Sequence, residues 1–205
     1  MKTTLTNHES RYYEPFCEAT SNGRQAVVDP PDGVARHSSD SSLKAFAQLG
    51  ALRLRSRRCI ISCFDRTTQY VLAEATRSLS LHTGATLDPA DALWLGSGNV
   101  PRSSAMCEKV VDSSILLQNE DLIHGAPVTV INDLLQHSLF RSVALGLGPP
   151  HPRFYASVPI ISPAGFAIGT YCIMDEHPRS GLEAWELEFL QSMVCLTSHL
   201  QSIRH

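Results

Sequence analysis

The side chains best equipped for chemistry are six cysteines and nine histidines, and their spacing excludes most of what such residues can do. Cys59 and Cys63 are the closest cysteine pair. They fall in the apolar run CIISCF, which reads as a strand, where positions four apart lie roughly 13 Å from one another at ~3.3 Å per residue. One metal ion cannot take both, and no second Cys/His pair with ligand spacing lies nearby, so no metal site is expected. The six thiols are scattered through apolar segments in a chain without a secretory leader, a pattern of reduced, mostly buried cysteines rather than of a disulfide framework. The histidines give no Ser/His/Asp arrangement. His124, His151 and His177 sit in loop-like sequence and read as isolated surface residues. No catalytic residue and no cofactor are assigned.

The one basic cluster, Arg53, Arg55, Arg57 and Arg58 in LRLRSRR, has two readings. It is a surface helix end, where cations oppose the negative end of the helix dipole, or a nucleic-acid or phosphate contact. The formal net charge of −3 provides no field that gathers nucleic acid or anionic lipid, so no nucleic-acid partner is expected. Apolar runs fall far short of the ~20 residues a membrane span needs. The opening MKTTLTNHESRYYEPF has neither an apolar signal core nor an Arg-rich targeting pattern, so a cytoplasmic protein with no membrane partner is expected. With 205 residues, 43% hydrophobic and 18% charged, the chain is long enough for one well-buried core and too short for two ordinary ones.

The elements that must position any site follow from periodicity and punctuation. Residues 1–40 are rich in Ser, Asp, Pro and Gly and read as a flexible N-terminal tail, with the aromatic cluster Arg11–Phe16 as its one docking candidate. Order begins at Ser41 or Ser42 as N-cap, since Leu43, Phe46, Ala47, Gly50 and Leu54 mark one helical face. CIISCF and QYVLAEAT flank the turn Asp65–Thr68 as a β-hairpin. Ser78 to Pro101 reads as a long connection anchored by Trp94 and Leu95. A helix capped by Ser103 or Ser104 follows, then the strand PVTVIND, a short helix around Leu134–Val143 and the loop GLGPPHP. RFYASVPI and FAIGTYCIMD form a second hairpin around Ser162–Gly165, which reads as the centre of the sheet. From Leu182 to Ile203 the residues Leu182, Trp185, Phe189, Met193, Leu196, Leu200 and Ile203 make a heptad-like stripe, a core-facing helix or a pairing helix.

This order is α+β, a central antiparallel sheet flanked by helices, with a long C-terminal helix. Val130–Leu134, Arg153–Ile160, Gly165 and Ile168–Asp175 resemble the hallmark stretches of GAF domains. FDRTTQYVLAEATRSLSL, ALWLGS, MCEKVV, RYYEPF and FAQLGALR are most similar to the N-terminal GAF domain of fungal hybrid sensor histidine kinases. The resemblance covers roughly residues 41–203 and implies a GAF domain over 41–205. No phosphoacceptor helix pair, ATP-binding module or receiver domain is seen in the sequence, so it looks like a kinase's sensor without its kinase.

The resemblance implies a non-catalytic sensory module that binds a small molecule, or pairs with a second copy or with a GAF-containing histidine kinase through its last helix. It locates a pocket between sheet and covering segments and nominates Trp94, Arg102, Cys107, Asn132, Asp133, Arg153, Tyr155 and Tyr171. The two arginines suit a carboxylate or phosphate, and Trp94 and the tyrosines suit a planar ligand. Structural roles compete: Asn132-Asp133 as a strand-ending turn, Trp94 as a core anchor, Arg153 as a surface residue. The stripe nominates Trp185, Phe189, Met193, Leu196 and Leu200 for pairing. Asn132 and Asp175-Glu176 match only part of the nucleotide-binding GAF signature, and the motifs that surround a bilin-bearing cysteine are missing around Cys107. The alternatives are an enzyme like free methionine-R-sulfoxide reductase using Cys107, although its second cysteine cluster is absent, and an accessory protein of metabolism.

Overall fold

The computed structural model describes residues 38–102, 105–107, 127–147, 151–161 and 167–202, with side chains described as far as residue 194. The tail, the Ser162–Gly165 turn and most of the helix expected after Ser103 lie outside the described residues. In chain order come α1 (Ser41–Arg53), β1 (Arg58–Phe64), β2 (Thr68–Thr76), a 3-10 turn (Pro89–Asp91), β3 (Asn99–Pro101), β4 (Thr129–Ile131), α2 (Arg141–Gly146), β5 (Phe154–Ile161), β6 (Ala167–Asp175) and α3 (Ala184–Ser202).

The strands form one antiparallel sheet in the order β3-β2-β1-β6-β5-β4. Two hairpins, β1–β2 and β5–β6, are joined through β1 and β6, which occupy the centre together. The second hairpin is therefore not the centre by itself. The junction is close: a Cβ added at Gly169 would lie 2.2 Å from the Ser62 carbonyl oxygen, so only glycine fits.

Each strand alternates between two buried faces. On the first lie Cys59, Ile61, Cys63, Leu72, Phe154, Val158, Tyr171 and Ile173, covered by Leu43, Ala47, Ala51 and Leu54 of the α1 segment and Leu190, Met193 and Val194 of α3. Tyr171 is a keystone here. Its hydroxyl donates to the Phe46 carbonyl at 2.8 Å and sits where a Cβ on Gly50 would be. Of the terminal stripe, Met193 is buried, Phe189 is half-buried and Trp185 is exposed. Leu182 precedes the helix and packs on the same core, while the Leu196 and Leu200 side chains lie outside the described residues. The short helix begins at Arg141, later than the sequence suggests, because residues 134–140 are turns.

Helix α1 is capped by Asp40 rather than Ser41 or Ser42. Its carboxylate accepts from the backbone N–H groups of Ser42 and Leu43 at 3.0 and 3.1 Å, and its charge also suits the positive end of the helix. At the other end Ser56 N–H donates to the Ala51 carbonyl and Arg55 N–H to that of Leu52, a Schellman closure with Arg55 at a left-handed φ of 49°. Arg179 clamps this cap, donating to the carbonyls of Leu54 at 2.9 Å and Arg55 at 2.8 Å while pairing with Asp175 at 2.7 Å.

Half of the basic cluster is a surface helix end, with Arg53 in the last turn of α1 and Arg55 just beyond its cap both exposed, but Arg57 and Arg58 are not part of it. Arg58 opens β1 and is fully buried, bonded at 3.0 Å to Glu74 of β2, which is equally buried. Burial pushes the Arg58 guanidinium below its ordinary pKa and Glu74 opposes that. Arg57 is held by Asp91 at 2.8 Å. Glu74 also accepts from the backbone N–H groups of Trp94, Leu95 and Gly96 at 2.9, 2.7 and 2.7 Å, so one carboxylate pins the long connection to the sheet.

Two outcomes follow for stability, both read from denaturant midpoints. Arg55→Gly raises stability by about 1 kcal/mol, since glycine carries no penalty at a left-handed cap. Glu74→Gln lowers it by about 3 kcal/mol, because it leaves a buried guanidinium without its main counter-charge, and releases Trp94 so that its fluorescence shifts to the red.

Candidate functional site

The second face of the sheet is built differently. Ile60, Phe64, Val71, Tyr155, Cys172 and Met174 form its apolar part, covered by Met106, Cys107, Leu134, Phe140 and Ala144 with Trp94 and Leu95 alongside. Polar side chains interrupt this layer in register. Ser62 pairs with Thr170 across β1 and β6, and their hydroxyls bond at 3.0 Å. Cys172 stands opposite Ser157 of β5, and Ser157 opposite Thr129 of β4. Gln69 extends the row onto β2 opposite Phe64. All are buried.

Two of these groups have unmet demands. The Thr129 and Ser157 hydroxyls, each 1% exposed and on adjacent strands, make no hydrogen bond among the described residues. Burial, with the neighbouring thiols, raises the Tyr155 hydroxyl well above its ordinary pKa; Ser157 lies near enough to oppose this in part, yet its own hydroxyl lacks a bond of normal geometry. A buried hydroxyl left without a partner costs about 1–3 kcal/mol. Such groups call for a partner, whether an ordered water or another hydrogen-bonding group.

Above the row sits Cys107, in the helical turn Met106–Cys107. Its sulfur lies 3.9 Å from that of Cys172 and accepts a hydrogen bond from the Tyr155 hydroxyl at 3.4 Å. Hydrogen bonding from Cys172 outweighs burial and, with Thr170, Tyr155 and Gln69, lowers the Cys107 thiol to about 6. Cys172 moves the opposite way, raised by Cys107 and by burial. The sequence offered no route to this pair, since the two residues are 65 positions apart and join only when β6 enters the sheet.

The other nominated residues divide into separate groups. Trp94 borders the second face with the Arg58 guanidinium 3.4 Å from its ring centroid. Arg102 is buried and donates to the Asp65 carbonyl at 2.6 Å, tying β3's end to the β1–β2 turn. Arg153 and Asp133 form a two-bonded pair at 2.8 and 2.5 Å at the rim, holding Asp133 below the ordinary carboxylate range. Asn132 is exposed beside them and its carbonyl accepts from Arg179 N–H at 3.1 Å. Tyr171 faces the first core. Thus Cys107, Tyr155 and Trp94 lie on the second face, Arg102 reaches its edge with its guanidinium 5.6 Å from the Phe64 ring centroid, and Asn132, Asp133, Arg153 and Tyr171 do not join them. Glu74, Thr129, Ser157 and Cys172 were not singled out from the sequence. Strand alternation from Tyr155 and the motif TYCIMD was the available signal for the last two.

Among the described residues no group of three His, Cys, Asp or Glu side chains is arranged to hold a metal ion, and no helix is long and apolar enough to cross a membrane.

Solved structures share this architecture. The cyanobacteriochrome receptor PixJ is 15% identical, with 80% of this chain and 96% of that one covered and a TM-score of 0.56. The GAF domain of an Acinetobacter phosphoenolpyruvate-protein phosphotransferase is 14% identical, with 82% and 85% covered and a TM-score of 0.51. A type II free methionine-R-sulfoxide reductase from Thermoplasma acidophilum is also 14% identical, with 78% and 90% covered and a TM-score of 0.51. No curated protein matches the sequence. At these identities the likeness extends to the fold alone. The GAF domain family matches directly over residues 38–196, more than half of the chain and spanning the whole sheet, and the protein therefore belongs to the GAF domain family.

Proposed function

We propose that this chain is a non-catalytic regulatory module that binds a small, uncharged, hydrogen-bonding molecule over the polar row of its second sheet face. The observation that carries this reading is the pair of buried, unpartnered hydroxyls of Thr129 and Ser157. The row itself carries no Lys, Arg, Asp or Glu side chain, and the acidic thiol of Cys107 above it repels an anion, which together favour an uncharged guest. Aromatic and apolar neighbours, Trp94, Phe140 and Leu134, suit the remainder of such a molecule. Membership of the GAF family, with the motif resemblance to the sensor domains of fungal hybrid histidine kinases as part of this reading, makes signalling the natural use of occupancy.

Native mass spectrometry of protein purified from its own host tests this. A bound small molecule is expected in the wild type and lost from the double variant Thr129→Val, Ser157→Ala. That variant stays folded, because Val matches Thr in shape, Ala only trims Ser, and two buried hydroxyls without partners are removed. Reproducibly empty wild-type protein, with no thermal shift from a panel of neutral metabolites, sinks the reading.

One further observation favours association as the output. Leu49 and Leu52 of α1 and Trp185 of α3 are 41%, 51% and 43% exposed, and the Arg53 guanidinium lies 5.7 Å from the Trp185 ring centroid. We read this as a pairing surface for a second copy or for a GAF-containing histidine kinase. At micromolar concentration the wild type is expected to elute with a dimer's mass and the variant Leu52→Glu, Trp185→Glu with a monomer's. A monomeric wild type excludes self-pairing.

A further inference from the structure

Ligand binding gives no use to two thiols in contact. Cys107 and Cys172 are brought together from distant parts of the chain, their sulfurs are 3.9 Å apart, and no strand or turn requires either to be cysteine. Both are buried, Cys107 at 2% exposure and Cys172 at 0%. The other described cysteines, Cys59 and Cys63, project into the opposite core and cannot reach them.

We propose that Cys107 and Cys172 close into a reversible disulfide on exposure to a small uncharged hydroperoxide, which makes the second sheet face an oxidation sensor independent of any bound ligand. In the first step the Cys107 thiolate attacks one peroxide oxygen. An S–O bond forms, the O–O bond breaks, and the remaining oxygen takes up a proton and leaves as water or an alcohol. Cys107 is now a sulfenic acid, oxidised by two electrons, and the peroxide is reduced by two. In the second step Cys172 attacks the Cys107 sulfur. An S–S bond forms, the S–O bond breaks, and the hydroxyl leaves as water with the Cys172 proton.

The surroundings divide the labour between the two sulfurs. Cys107 is the attacking group, because Cys172, Thr170, Tyr155 and Gln69 all favour its anion. Cys172 resolves. Tyr155 is a positioning residue whose hydroxyl points at the Cys107 sulfur from 3.4 Å. Burial restricts the oxidant to molecules the size of hydrogen peroxide or a short alkyl hydroperoxide. Closure from 3.9 Å to a bond of about 2.05 Å draws the Met106–Cys107 turn onto β6, directly above the polar row.

The full chain is treated with limiting hydrogen peroxide, its remaining thiols are alkylated, and its peptides are mapped. The expected product is a linked peptide joining Cys107 to Cys172, reversed by dithiothreitol. Cys107 is expected to be consumed at least about 10-fold faster than Cys59, whose thiol burial pushes up to about 12. In Cys172→Ser the link is replaced by a sulfenic acid at Cys107, which dimedone traps when the oxidised protein is unfolded in its presence. In Tyr155→Phe the pH midpoint of Cys107 oxidation rises. The wild-type map needs no variant to fold. Oxidised wild type without the link, a link formed only after denaturation, or equal rates at Cys107 and Cys59 each overturn the proposal.

Discussion

The pairing of β1 with β6 is the contact on which everything else in this domain rests. It joins two hairpins that are each locally encoded into one sheet, and it does so through residues more than a hundred positions apart, from Arg58 opposite Met174 to Cys63 opposite Gly169. The tightest point is Gly169 against the Ser62 backbone. Once that approach is made, Tyr171 reaches under α1 on one side and Cys172 reaches Cys107 on the other. A single strand thus supplies the keystone of the first core and half of the thiol pair of the second.

The two faces of the sheet have opposite characters. The first is apolar and closed by two helices, with its one prominent polar atom, the Tyr171 hydroxyl, satisfied by a backbone carbonyl. The second mixes aliphatic side chains with a row of hydroxyls, a glutamine and thiols, two of whose hydroxyls lack partners. A face that served only to close a core would be expected to satisfy or replace these groups. The buried Arg58–Glu74 pair at the margin of this face is different in kind: Glu74 is fully engaged, and what it organises is backbone.

Local patterns made much of the fold legible. The hairpins showed through apolar strands around turn residues, α1 and α3 through helical spacing, and the connection through its glycines and prolines. What depended on partners distant in sequence was not legible. Arg58 looked like part of a surface cluster because nothing nearby announces Glu74 across the hairpin. Asp40 rather than a following serine caps α1 because a cap is decided by which side chain reaches the free N–H groups. For the site, Cys107, Tyr155 and Trp94 were reachable from family likeness and Ser157 and Cys172 from strand alternation and the motif TYCIMD, whereas the alignment of Thr129, Ser157 and Cys172 in one row becomes visible only with strand register. Arg153 and Arg102 suit a ligand-binding cation by type, but the charge of Arg153 is met by Asp133, and Arg102 is tied by the Asp65 carbonyl to the β1–β2 turn, a bond that orients its guanidinium without neutralising it.

The outermost strands of the sheet, β3 and β4, are three residues long each. Each covers only part of its longer neighbour: among the described residues β2 from Leu72 to Thr76 and β5 from Val158 to Ile161 have no strand partner on their outer sides. The free backbone of this sheet therefore lies inward of its outermost strands, and a chain recruited by strand addition would have to pair there, beside a three-residue strand rather than along a full edge.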